Sequence, residues 1–151
     1  MLAFYTREEP DMSFYYYEKT WIELKDAIAR DTLIVLPVGT TEEHGPHLPV
    51  EADTMIGEGF GQAVGKELEK RDAIPFLVMR TVPYGYSMGC VQDFPGTISV
   101  RPEIVQSYVF DIVDSLCRMG FTKIVILGCH GNYDGILRNV MRSIVDKHGI
   151  Y

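Results

Sequence analysis

The chain has 151 residues, 46% hydrophobic and 23% charged, which suits one globular domain and excludes a disordered chain. Fourteen basic against twenty-one acidic side chains give a net charge of -7, a field that repels phosphate backbones and anionic lipid heads, so neither nucleic acid nor a membrane surface is expected as a partner. The longest apolar run, around Ile124 to Leu127, falls far short of the ~20 residues of a spanning helix.

Met1 to Pro10 carries Arg7, Glu8 and Glu9 where a signal peptide would have a basic start and an apolar run, which gives a cytoplasmic expectation. An aromatic stretch follows (Phe14, Tyr15, Tyr16, Tyr17), and residues 20–30 are expected to be helical. Leu33-Ile-Val-Leu-Pro37 predicts a fully buried strand with a long polar loop after it. Residues 53 to about 70 predict a helix with Ile56, Phe60, Ala63, Val64 and Leu68 on its buried face, although its glycines each weaken it by up to about 1 kcal/mol. Residues 74–79 predict a second strand, and Pro83 to Gly96 an irregular loop wide enough to line a pocket.

Two one-sided stripes come next, Ile104/Tyr108/Ile112/Leu116 and Ile136/Val140/Ile144, each the signature of an amphipathic helix. Gly120 ends the first, and Lys123 to Cys129 is a short β-branched run between them. Strand, helix, strand, helix, strand, helix predicts an α/β fold with a parallel sheet flanked by helices. Ile150-Tyr151 reads as the opening of a further strand, so a single domain cut short at its C-terminus is expected, with an unpaired apolar sheet edge. Cys90, Cys117 and Cys129 are odd in number and unmatched in spacing, which suggests neither a disulfide framework nor a zinc ribbon, and Cys117 is assigned to the core.

Of four histidines, His44, His47 and His130 lie just beyond predicted strands, where open α/β sheets place their ligands. Glu42 and His44, two apart in an extended segment, project to one side, and Asp53 at a helix start can turn back toward them. With His130 this is a set of two carboxylates and two imidazoles suited to divalent zinc, manganese, cobalt or iron. Each residue also has a plainer reading. Asp53 makes a good N-cap, Glu42 and Glu43 make solvated loop charges, His130 makes a core histidine, His47 between two prolines orients its loop, and His148 suits a helix end. Spacing alone leaves these alternatives open.

The loop Pro37-Val-Gly-Thr-Thr-Glu-Glu-His-Gly-Pro-His-Leu-Pro-Val-Glu-Ala-Asp-Thr54 resembles the signature of the creatininase family of metal-dependent amidohydrolases. Phe94-Pro-Gly-Thr-Ile-Ser99, with Tyr84-Gly85 before it, and Gly128-Cys-His-Gly-Asn132 follow in the family's order, so the resemblance spans roughly residues 20–147. It implies a three-layer α/β fold, a centre of one or two divalent ions with zinc or manganese foremost, and hydrolysis of a non-peptide amide or cyclic amidine C–N bond in a small-molecule substrate. By motif, Glu42 matches a ligand of one ion, His44 of the other, Asp53 the bridging carboxylate and His130 the ligand on the later strand; imidazole partners such as His47 or backbone carbonyls would fix their tautomers. Family members form rings, so a homo-oligomer is expected.

Three departures qualify the match. Asn132 stands where creatinine-hydrolysing members carry a metal-binding Glu, which puts the second ion in question. Ser87 to Asp93 lacks the histidine many members have there, so a different substrate is expected, with Ser87 as a candidate contact. The family's His-Ala-Gly-Glu segment, source of the proton-shuttling histidine, would lie beyond Tyr151, so the general acid/base is not assigned and the chain is expected to be catalytically incomplete. The alternative is a non-catalytic creatininase-like module for binding or oligomeric assembly. A flavin or nucleotide binder is disfavoured, since no Gly-rich phosphate loop directly follows a strand.

Overall fold

A strand that is apolar at every position has to be covered on both faces, and Leu33–Val38 (β1) is that strand. Ile34, Leu36 and Val38 point to one side of the sheet, Val35 and Pro37 to the other. In the computed structural model of the protein, which describes residues 13–71 and 74–150, β1 is the middle of a three-stranded sheet. It pairs in parallel with Phe76–Val78 (β2) from Leu33↔Phe76 and with Ile124–Gly128 (β3) from Ile34↔Ile124 to Val38↔Gly128.

Three helices cover one face: Trp21–Ala29 (α1), Pro102–Met119 (α3) and Asp134–His148 (α4). Val105, Val109 and Val113 of α3 interlock with Leu137, Val140 and Ile144 of α4 over Leu36 and Val38, and Ala27 of α1 meets Ile34, Leu116 and Phe121 beside them. Boundaries follow from the chemistry at each end. Thr20 and Glu23 close a capping box at the start of α1, and Gly120 and Gly149, both left-handed, end α3 and α4.

The opposite face is covered by Ala52–Arg71 (α2), rotated from the expected orientation. Gly57, Gly61 and Gly65 are buried, while Ile56 and Phe60 are exposed and Val64 and Leu68 only half-buried. A β-carbon on Gly61 would fall 2.8 Å from Val78 Cγ1, and one on Gly57 2.7 Å from Thr81 Cγ2. Glycines four residues apart give α2 a flat side that seats the helix backbone directly on the strands, and that close approach outweighs burial of the apolar row.

The two sheet edges differ. The amide of Val78 donates to the carbonyl of Phe14, so the N-terminal segment covers β2, with Phe14 also against the Phe76 ring. The aromatic stretch is thus packed in at Phe14, Tyr15 and Tyr16 and exposed only at Tyr17. β3 has no strand on its outer edge among the described residues, and Val125 there is exposed. Ile150 forms no strand: Gly149 turns the chain and Ile150 packs against the α3/α4 cluster, while Tyr151 and the expectations on residues 1–12 lie outside the described residues. Cys117 is half-buried against that cluster.

An ionic clamp joins α3 to α4. The Asp114 carboxylate, largely covered, accepts from Lys147 Nζ at 2.7 Å and His148 Nε2 at 2.7 Å, with Arg118 Nε at 3.1 Å. The Lys147 ammonium, with His148 beside it, holds the Asp114 carboxyl down at about 2. A depressed carboxyl stabilises the fold above its unfolded value near 3.8 and stops doing so as pH falls toward 2. Melting curves taken between pH 5 and pH 2 should therefore converge for wild type and Asp114→Asn at the acid end and separate above about pH 4, wild type being the more stable. Parallel curves across the whole range would remove the clamp from the account.

Candidate metal centre

Strand order reverses at β1: the chain leaves it over one face through α2 to reach β2, then returns over the other face through α3 to place β3 on the far side. The loops after β1 and β3 therefore diverge to opposite faces and leave a crevice between their carboxyl ends. Glu42, His44 and Asp53 arrive there from β1, and His130 from β3, the two held in register by the Cys129 amide donating to the Val38 carbonyl at 2.8 Å.

The long loop is pinned at several points. The Glu42 amide donates to the Val50 carbonyl, the Ile98 amide to the Thr41 carbonyl at 3.0 Å, the Glu43 amide to Thr97 Oγ1 at 3.0 Å, and Thr41 Oγ1 to the Pro83 carbonyl. The Phe94–Ser99 segment, a sequence motif without an obvious chemical group, is thus a brace for the acidic loop. Asp53 sits in the first turn of α2, one residue inside the helix and not at its cap. Its charge suits that end of the helix dipole, and its oxygens are directed elsewhere.

Asp53 joins the two imidazoles. Oδ1 lies 3.1 Å from His44 Nε2 and Oδ2 lies 2.7 Å from His130 Nδ1, with Glu42 Oε1 3.6 Å from that same nitrogen. Glu42, His44 and Asp53 each offer a donor atom within 4.8 Å of the others. The side chains of Glu42, Asp53 and His130 are 13%, 9% and 6% exposed, and His44 is more open at 23%.

The hydrogen-bond pattern leaves this set unbalanced. His44 Nδ1 lies 3.0 Å from the Glu42 carbonyl, which only accepts, so Nδ1 carries the proton and neutral Nε2 turns a bare lone pair on the Asp53 carboxylate. Two acceptors at 3.1 Å need a cation between them, either a proton or a metal ion. Burial opposes protonation of His44, but the Glu42 carbonyl and the Asp53 charge outweigh it and lift its pKa above the ordinary imidazole value. Glu42 Oε2 and His130 Nε2 are buried without partners, and buried polar atoms of this kind call for a ligand. A divalent ion fits Glu42, His44 and Asp53, whose donor atoms gather within 4.8 Å, while His130 lies outside that group and joins it through Asp53 and Glu42.

The other candidates separate from the four. Ser87 is wholly buried, its amide bonded to Ser99 Oγ and its carbonyl to the Gln92 amide group, and it makes none of the cluster's hydrogen bonds. His47 is exposed, with its ring edge over Gly45. His148 belongs to the Asp114 clamp, and Asn132 is half-buried in the turn after His130. Sequence reasoning missed Tyr133. This residue is buried edge-on against the His130 ring at 4.9 Å, donates its hydroxyl to the Gly39 carbonyl at 2.7 Å, and is pushed up to about 12 by burial. An aromatic residue in a Gly-Asn-Tyr-Asp turn has no periodic pattern that would have marked it.

Comparison with known proteins follows the same residues. The creatininase family model, described as creatinine amidohydrolase, matches residues 17–151. A mycofactocin precursor peptide peptidase of Mycobacterium ulcerans (strain Agy99) is 33% identical over 114 residues, 74% of this chain and 45% of that protein. A creatinine amidohydrolase of Pseudomonas putida is 34% identical over 118 residues, 75% of this chain and 43% of that one. A solved structure of the manganese form of creatininase superposes with a TM-score of 0.74 at 29% identity, over 92% of this chain and 55% of that one. The chain thus spans less than half the length of these curated relatives.

Proposed function

The chain belongs to the creatininase family, and from that footing we propose that it takes part in hydrolysis of a C–N bond in a non-peptide amide or cyclic amidine, using a divalent ion held by Glu42, His44, Asp53 and His130. The observation that carries this reading is His44 Nε2 meeting Asp53 Oδ1 at 3.1 Å, a gap that a proton or a metal ion has to fill, beside the orphaned atoms of Glu42 and His130. Zinc and manganese both accept this mixture of carboxylate and imidazole, and the solved manganese form of creatininase supports the second.

A bound ion would supply Lewis acidity, making a water acidic enough to attack at neutral pH and drawing electrons from the bond to be cleaved. The chain's residues do the rest. Asp53 spans both imidazoles with one carboxylate, the Glu42 carbonyl sets the His44 tautomer, and the packed surroundings keep competing water from the donors. Two oxygens serving two histidines allow a second ion, which the neutral Asn132 would hold weakly.

A peptide substrate is the second reading, favoured by the Mycobacterium relative named as a peptidase. Release of amine from creatinine, formamides, lactams and short peptides should be assayed with manganese or zinc and again after chelation. Metal-dependent turnover on a non-peptide amide or amidine supports the proposal; cleavage of peptides alone moves it to the second reading. Ion binding without turnover on any substrate, with a defined oligomer by light scattering, would instead favour the non-catalytic assembly module.

A further inference from the structure

We propose that Tyr133 is a positioning residue that locks His130 and the Asp53 end of α2 into metal-binding register; this rests on the metal reading above. Among the described residues, Tyr133 is the largest side chain buried almost completely. If filling space were its role, phenylalanine would serve without bringing a hydroxyl into the core. The hydroxyl is used: it donates at 2.7 Å to the carbonyl of Gly39, the first residue past β1.

Gly39 is in turn pressed against the start of α2, where a β-carbon on it would lie 3.0 Å from both the Asp53 carbonyl carbon and the Thr54 amide nitrogen. The same Tyr133 ring meets the His130 imidazole in a T-shaped contact, at 4.9 Å and 75°. A single side chain therefore touches the histidine of the β3 loop and, through one peptide unit, the backbone that carries Asp53. Its root lies in the 3-10 turn Gly131–Tyr133, which leads directly into α4, so the contact is anchored to a helix and not to a free loop.

The Oδ2 to Nδ1 distance of 2.7 Å between Asp53 and His130 is set across two strands and seventy-seven residues of sequence. Donor geometry of this kind decides affinity, since a ligand pair moved by a few tenths of an ångström no longer closes on one ion. Loss of the hydroxyl leaves the Gly39 carbonyl unsatisfied and frees β1's end to shift relative to β3.

Tyr133→Phe tests this in the 151-residue chain, with cobalt(II), manganese(II) and zinc(II) as probes. Calorimetric titration should show affinity about 10-fold weaker than wild type, the low end of what outer partners of metal ligands contribute, and the visible absorption of the cobalt(II) form should change in intensity and position. A residue that only fills the core would lower the melting temperature without ions and leave affinity and cobalt spectrum alone, and that result overturns the proposal. Should the variant fail to fold, 3-fluorotyrosine placed at position 133 keeps ring and hydroxyl. Its 19F resonance should shift on addition of zinc(II), and an unmoved resonance also overturns it. A wild-type chain that takes up none of the three ions would sink the metal reading, and the register role with it; uptake by wild type with equal uptake by Tyr133→Phe sinks the register role alone.

Discussion

Replacing Asp53 by alanine is expected to remove divalent-ion binding altogether. Among the described residues its carboxylate is hydrogen-bonded to both imidazoles, through Oδ1 to His44 and Oδ2 to His130, so its loss unlinks the donors that it joins. The affinity loss should exceed about 100-fold, beyond the range found for residues that merely support a ligand. Asp53→Asn keeps the shape and discards the charge, and should fall in the same range because the ion's charge then goes uncompensated. Without ions, Asp53→Ala leaves the buried His130 Nδ1 without its carboxylate partner, a destabilisation of about 1–3 kcal/mol, whereas Asp53→Asn keeps one side-chain oxygen as an acceptor. Metal content by mass spectrometry after dialysis from unchelated buffer reads the result, and wild-type ion content in Asp53→Ala would end the case for this centre.

Gly85→Ala, a change of one methyl group in a loop, should be among the most damaging single substitutions. A β-carbon there would occupy the space of the Tyr133 phenol oxygen and come 2.6 Å from its ring carbon Cζ. The phenol cannot yield easily, since its ring is enclosed between the Leu36/Val38 core and His130. Destabilisation of about 3 kcal/mol is expected, the upper part of the range for overpacking, together with weakened ion binding. The double variant with Tyr133→Phe removes the oxygen but leaves Cζ too close, so recovery should be partial and the two effects less than additive. Denaturant unfolding of the four chains gives the coupling directly, and strict additivity would mean that the loop at Gly85 moves aside freely.

Much of this architecture can be read from the chain before any coordinates, and the reasons are local. β1 is legible because six consecutive residues without a charge fit only a covered strand, and α3 and α4 because their apolar residues recur at helical spacing. The four candidate ligands could be nominated from a motif, but not their pairing: that Asp53 gives one oxygen to each histidine depends on β3 lying beside β1, a long-range fact. The orientation of α2 is not legible in the sequence because hydrophobic periodicity assumes that the larger side chains face inward, whereas backbone contact through Gly57 and Gly61 decides it. Tyr133 leaves no mark in the sequence because its role lies in a hydroxyl reaching across ninety-four residues.

The flat side of α2 bears on how the site would be lost on warming. A helix with glycine at four of its twenty positions has little tendency to persist by itself in water, so it is ordered only while seated on Val78 and Thr81. Asp53 occupies its first turn, which makes undocking of the helix and dismantling of the ion's cradle one event. Amide exchange along 52–71 should therefore slow sharply when an ion is present, far more than in α3 or α4, because occupancy and helicity there share a single equilibrium.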